Sequence, residues 1–138
     1  KVVALAVLMP IVASMGGNAG TQTLTVSVRA LATKELTTSN SLKIIIKETF
    51  VGGINGIIFA FIIGLLSAYW FSDNLLGIVI ATAMILNLIL ASLSGILIPL
   101  TLNKFKIDPA LASGVILTTI TDVFGFLSFL GLASILLI

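Results

Sequence analysis

The stretch that decides the fold runs from residue 109 to residue 138 and reads PALASGVILTTITDVFGFLSFLGLASILLI. Asp122 is the only ionisable residue between Asp108 and Ile138. In one helix rising about 1.5 Å per residue, Asp122 would lie roughly 21 Å from one end and 24 Å from the other. Such a helix can cross a membrane, with the carboxylate near the middle at a cost of about 2.5 to 3.5 kcal/mol. A carboxylate at that depth predicts a functional partner.

The composition of the whole chain is that of an integral membrane protein. Of the 138 residues, 59% are hydrophobic and 9% are charged, and the mean hydropathy is +1.29. Soluble domains carry about a quarter charged residues. Four apolar intervals can each cross the membrane as a helix, at about residues 2–32, 44–71, 75–103 and 109–138. Because these runs lack period-two alternation, they predict an all-α bundle of four transmembrane helices rather than a β-barrel.

Several kinds of chemistry are excluded by the residues that the chain lacks. It contains no Cys and no His, so thiol chemistry, disulfides, haem ligation and the common zinc sites are ruled out. Oxygen atoms remain as metal ligands, and they favour hard cations such as Mg²⁺, Ca²⁺, Na⁺ or K⁺. No nucleophile stands beside a base, so we expect no enzyme and no catalytic residue. The basic residues are scattered rather than gathered in a patch, so no nucleic-acid partner is predicted.

The positions of the basic residues predict an orientation in the membrane. Six of the seven fall on one side of the predicted bundle: Arg29, Lys34, Lys43, Lys47, Lys104 and Lys106. By the positive-inside rule that side is cytoplasmic, in what we expect to be the inner or plasma membrane of a bacterium or archaeon. The chain begins at Lys1 without an initiator Met, and both ends would face outward. We therefore expect it to be a piece of a longer protein with an earlier span.

Small and polar residues on helices two and three predict contacts between helices. Gly52 and Gly56 form a small-xxx-small pair, for which close packing on a neighbouring helix is the favoured interpretation. Asn87 and Ser92 lie in the third span, where polar atoms more often join helices than bind a substrate. Helix one carries Pro10 and a run of glycines, for which a loosened backbone is plausible.

Two polar rows in the spans could line an ion path. On the fourth helix, Gly114, Thr118, Asp122 and Gly125 recur every three or four residues and so share one face. On the first helix a similar row consists of Ser14, Gly17, Thr21 and Thr25, with Asn18 and Gln22 beside it. If the two rows face each other, they line a polar passage. The alternative is that small residues and Thr let the helices pack closely.

Three states of the Asp122 carboxyl group are compatible with its position in the membrane. No Lys, Arg or His lies at a comparable depth. The carboxyl group must therefore be protonated, solvated in a water-filled cavity, or paired with a cation that is not part of the chain. A cation pore provides the last two together. A proton relay is the competing account, but relays usually draw on several titratable groups.

Several of these motifs, in this order, resemble the transmembrane domain of the MgtE magnesium channels. The resemblance rests on Pro10, the run GGNAGTQ at residues 16–22, RALA at 29–32, Glu48 with Gly52 and Gly56, Pro99, Asp108-Pro109-Ala110, and Asp122 before Gly125. It covers essentially the whole chain. Family members have five transmembrane helices preceded by cytoplasmic regulatory domains. The resemblance thus implies that residues 1–138 form the channel domain without its first helix and without those domains.

The resemblance also implies a function and a site. The expected assembly is a homodimer in the lipid membrane with a dimeric pore between helices one and four, conducting Mg²⁺ toward the cytoplasm. The Asp122 carboxylates of both subunits would hold a hydrated Mg²⁺ ion as the transported ion, with no cofactor. The expected pore-lining residues are Gly17, Asn18, Thr21, Thr25, Gly114 and Thr118. Two other functions stay open: a proton- or sodium-coupled secondary transporter of divalent cations, and a structural membrane anchor.

Overall fold

Four long helices make up the part of the chain that the computed structural model describes, residues 2–37 and 39–136. They are α1 (Val2–Ala32), α2 (Ser41–Phe71), α3 (Asn74–Lys104) and α4 (Pro109–Leu136). Each is long and apolar enough to span a membrane, and the described residues contain no strand. The predicted all-α bundle of four transmembrane helices is confirmed. α2 begins at Ser41, three residues before the predicted start of the second span at residue 44.

The third helix is the centre of the bundle. α3 packs against each of the other helices and buries residues along its whole length, whereas α2 packs along α3 and touches α1 at only a few positions. The buried residues of α2 are all small, namely Gly52, Gly56, Ala60, Gly64 and Ser67. Most of its large apolar side chains are exposed, as lipid-facing residues are, whereas Ile63 and Phe71 pack partly against the core. The outer side of α2 is therefore the side that contacts lipid.

Small residues let α2 and α3 run antiparallel in close contact. A Cβ placed on Gly77 would lie 2.6 Å from the carbonyl oxygen of Gly64, and one on Gly56 would lie 3.2 Å from the Cα of Ile85. A Cβ on Gly52 would collide with the side chain of Ser92. The predicted packing role of Gly52 and Gly56 is confirmed.

The first helix is continuous through its proline and glycines. α1 is α-helical from Val2 to Ala32 with Pro10 inside it, so the suggestion of a loosened backbone was wrong. The glycines instead provide room for neighbours. Gly16 lies against the side chain of Asn87, and a Cβ on Gly20 would lie 3.0 Å from Leu117 Cδ1.

The connection between α1 and α2 is held by its own side chains. The side-chain Oδ1 of Asn40 accepts a hydrogen bond from the backbone N–H of Thr37 at 2.7 Å, and its Nδ2 donates to the carbonyl oxygen of Glu35 at 2.7 Å. Asn40 occupies the N-cap position of α2 but makes no capping hydrogen bond to that helix. Thr38, in the middle of this turn, lies outside the described residues.

Candidate ion-path face

The register between α1 and α4 decides which of their residues reach the surface. The two helices pack antiparallel, with Ala13 beside Gly125, Gly17 beside Thr121, and Gly20 beside Leu117. A Cβ on Gly125 would lie 3.4 Å from Ala13 Cα, and one on Gly17 would lie 3.9 Å from Thr121 Oγ1. Thr121 and Leu117 are fully buried in this contact. The next residue along the chain, Asp122, lies outside the contact.

The row on α4 is exposed. Asp122, Thr118 and Gly114 are all exposed, and a Cβ on Gly114 would meet nothing within 4 Å. The Thr118 hydroxyl donates to the carbonyl oxygen of Gly114 at 3.0 Å, so its proton is used within the helix and its oxygen is left to accept. The Asp122 carboxylate makes no hydrogen bond or ion pair with any residue that the structure describes. It is therefore available to an external partner.

The row on α1 is exposed as well. Asn18, Thr21 and Thr25 are exposed, whereas Gly17 is half-buried against Thr121. The Thr25 hydroxyl donates to the carbonyl oxygen of Thr21 at 2.9 Å. Hydroxyl groups bonded in this way donate their proton to a carbonyl of their own helix and need no acceptor on a neighbouring helix. Together with Gly114, Thr118 and Asp122, these residues form a surface that we call the α1–α4 polar face.

The α1–α4 polar face does not enclose a passage within one chain. Its two rows flank the contact between α1 and α4, and no other helix of the described chain covers them. A closed polar passage would therefore need a second surface, opposite this face, that comes from outside the chain. The structure thus brings the sequence-predicted residues to one face and leaves that face open.

One predicted member of the α4 row lies elsewhere. Gly125 is buried, with the position of a Cβ 3.0 Å from Asn87 Nδ2, so the prediction that it shares the face of Asp122 was wrong. At 3.6 residues per turn, a step of three residues stops about 60° short of a full turn. That difference is enough to move Gly125 from the surface into the contact with α1 and α3.

A buried amide stands behind the face. Asn87 on α3 is fully buried, and its Nδ2 donates to the carbonyl oxygen of Val12 at 2.9 Å. Its Oδ1 has no hydrogen-bond partner among the described residues. The prediction that polar atoms of the third span join helices is confirmed for Asn87. No sequence motif indicated, however, that this residue contacts both helices carrying the polar face, through Gly16 and Gly125.

These features define the class of protein, an all-α integral membrane protein with an unpaired carboxylate on an open polar face. The model of the MgtE family, described as a divalent cation transporter, matches residues 9–132. The chain belongs to the MgtE family, as its sequence motifs suggested.

Three relatives are magnesium transporters of the same family name. The chain is 39% identical over 134 residues to the magnesium transporter MgtE of Bacillus subtilis, covering 97% of this chain and 30% of the relative. It is 38% identical over 130 residues to that of Enterococcus faecalis, covering 94% of this chain and 29% of the relative. It is 35% identical over 136 residues to that of Thermus thermophilus, covering 99% and 30%. The chain thus spans less than a third of the length of these relatives.

Proposed function

We propose that this chain forms a pathway for Mg²⁺ across the membrane toward the cytoplasm, with a hydrated ion held between the Asp122 carboxylates of two copies. The observation that carries the proposal is the state of Asp122, which is exposed, without a partner among the described residues, and midway along a membrane-spanning helix. A carboxylate facing hydrocarbon there would be costly. Water and a cation remove that cost.

In this proposal, a second copy of the chain supplies the surface opposite the α1–α4 polar face. A two-fold axis along the α1–α4 polar face sets each residue opposite its own counterpart, because such interfaces are self-complementary. Two Asp122 carboxylates then approach one axis. Their combined charge favours a divalent over a monovalent cation, because the Coulomb attraction scales with the charge of the ion.

The neighbours of Asp122 suit an ion that keeps its water. Mg²⁺ dehydrates reluctantly and usually retains several waters at a protein site. The described residues contain no group of three or more Asp, Glu, His or Cys side chains that could strip and cage the ion. The Thr118 oxygen offers an acceptor for a hydrogen of bound water, and the space beside Gly114 leaves room for that water. A pore of this kind holds the hydrated ion weakly enough to release it.

The longer relatives leave room for further parts of the transporter. The chain covers 30% of the Bacillus relative. In our proposal, the remaining length holds the cytoplasmic regulatory domains and the additional helix implied by the family resemblance.

The test is Mg²⁺ uptake by the intact protein in liposomes. Asp122→Ala and Asp122→Asn should each lower uptake at least tenfold, whereas Asp73→Asn, at the half-buried turn between α2 and α3, should leave it unchanged. Unchanged uptake and selectivity in Asp122→Ala would overturn the proposal. Uptake that collapses when a proton or Na⁺ gradient is removed would replace the channel with a coupled transporter. Full function after exchange of the spans for unrelated ones would reduce the domain to a membrane anchor.

A further inference from the structure

A second polar region lies on the opposite side of α1 from α4. Because α1 and α2 touch at only a few positions, a crevice of about 160 Å³ remains between them, closed at the back by α3. Five polar side chains line it: Gln22, Thr23, Glu48, Asn55 and Ser92. None of them belongs to the α1–α4 polar face. The crevice is therefore a separate feature of each protomer.

The polar groups of the crevice lack partners within the described chain. The Glu48 carboxylate forms no ion pair or hydrogen bond with a described residue, and the same holds for the side-chain amides of Gln22 and Asn55. Ser92 is only 4% exposed, yet its hydroxyl also makes no hydrogen bond to a described residue. The oxygen itself is accessible from the crevice, where water or a ligand can bond to it. Its position in the wall of the crevice points to a ligand there.

The charges around the crevice leave Glu48 uncompensated. Lys47 is its neighbour in sequence and Lys43 lies one turn earlier, but both are exposed and neither forms an ion pair with it. No other ionisable residue lines the crevice. A positive charge is thus what the site lacks.

The oxygen atoms that line the crevice and its volume indicate which kind of ligand it would bind. A carboxylate, two amide oxygens and hydroxyl oxygens form a ligand set of the kind that hard cations prefer. A volume of about 160 Å³ holds several water molecules at about 30 Å³ each, so a cation there can keep part of its hydration shell. With a single carboxylate, the site is weaker than a cage of several acidic residues. Because the family transports divalent cations, such an ion is the one supplied to this surface.

We propose that the crevice is a second divalent-cation site in each protomer, with the Glu48 carboxylate as its charged ligand and Gln22, Asn55 and Ser92 as neutral ligands. Glu48 lies about 10 Å along α2 from its start at Ser41, whereas Asp122 lies about 20 Å along α4 from Pro109. The two helices begin at the same end of the bundle. The crevice site is thus nearer than Asp122 to the end that carries most basic residues.

Mn²⁺ provides the test, because its anomalous scattering locates the metal in crystals of the intact protein. The wild-type protein should show a peak in the crevice, within direct or one-water contact of Glu48. Glu48→Gln should abolish it. Glu35→Gln, an exposed carboxylate in the turn before α2, should leave it intact, and so should Asp122→Asn. A crevice peak that persists in Asp122→Asn would show that this site is independent of the proposed pore, whose own test is Mg²⁺ uptake.

Several outcomes would overturn the proposal. They are a crevice without a peak at saturating Mn²⁺, a peak that survives Glu48→Gln, and a crevice filled by another helix. If Glu48→Gln does not fold, Ser92→Ala serves instead, because it removes a single oxygen. At subsaturating Mn²⁺ it should lower the occupancy severalfold, and an unchanged occupancy would contradict the assignment.

Discussion

Asn87 on α3 donates a hydrogen bond to the carbonyl oxygen of Val12 on α1, 2.9 Å away, at a fully buried position in the bundle. The same side chain contacts Gly16 of α1 and Gly125 of α4. One amide therefore fixes the spacing of the two helices that carry the α1–α4 polar face. Its effect on ion transport would be indirect, through the position of Asp122.

We expect Asn87→Ala to destabilise the protein by about 1 to 3 kcal/mol, because it removes an interhelical hydrogen bond and leaves a cavity. The loss should appear as a lower midpoint of thermal unfolding in detergent. Asn103→Ala, at an exposed position near the end of the same helix, is the control and should leave the midpoint unchanged. Equal midpoints for the two variants would mean that the Asn87 contact contributes little.

Two glycines of α4 should respond in opposite ways to the same substitution. A Cβ on Gly125 would lie 3.0 Å from Asn87 Nδ2 and 3.4 Å from Ala13 Cα, so Gly125→Ala should cost about 1 to 3 kcal/mol through overpacking. A Cβ on Gly131 would meet nothing within 4 Å, so Gly131→Ala should be neutral or stabilise the helix by up to about 1 kcal/mol. Unfolding midpoints measured side by side give the comparison. A Gly125→Ala protein as stable as the wild type would show that α4 can move away from α3 without loss.

The membrane-spanning helices could be predicted, and Asp122 could be singled out, because both depend on local chemistry. A run of about 20 apolar residues has to cross the membrane whatever surrounds it, and Asp122 is conspicuous in such a run. The identity of the central helix could not be predicted. In lipid, both the inside and the outside of a bundle are apolar, so the hydrophobic pattern that distinguishes core from surface in water is absent.

The burial of individual glycines on α4 could not be predicted from the sequence either. Gly114 and Gly125 lie about three turns apart on one helix and looked equivalent in the sequence. One is open to the surface and the other is buried against Asn87. A residue without a side chain serves close packing and an open pore wall equally well. The register between α1 and α4 was needed to tell them apart.

Close backbone contact near the α2–α3 turn should make Gly77 intolerant of a side chain. A Cβ there would lie 2.6 Å from the Gly64 carbonyl oxygen, and a backbone atom cannot rotate away as a side chain can. Gly77→Ala should therefore force α2 from α3 and lower the unfolding midpoint. Gly53→Ala is the matched control on α2, because its Cβ would make an ordinary contact of 3.9 Å with Ile89 Cγ1. Similar midpoints for both variants would contradict the antiparallel register described for this hairpin.

The start of α3 depends on one carboxylate. Asp73 Oδ1 accepts hydrogen bonds from the backbone N–H groups of Leu75 at 3.1 Å and Leu76 at 3.2 Å. Asp73→Ala should cost about 0.5 to 2 kcal/mol, as loss of an N-cap does. Asp73→Asn keeps an oxygen that can accept the same bonds and should retain most of the stability. Equal losses in both variants, measured by thermal unfolding, would assign the effect to the charge of Asp73 rather than to its capping bonds.

The proposed two-fold pore should be detectable by cysteine cross-linking, because the chain contains no cysteine of its own. Thr118→Cys places a thiol on the α1–α4 polar face, one turn from Asp122 and exposed in the single chain. If a second copy covers that face, mild oxidation in membranes should join two chains into a disulfide-linked dimer on a non-reducing gel. Phe61→Cys is the control, since Phe61 is 68% exposed on α2 and faces lipid in this arrangement. Dimers from Phe61→Cys but not from Thr118→Cys would place the interface on α2 and leave Asp122 without its proposed counterpart.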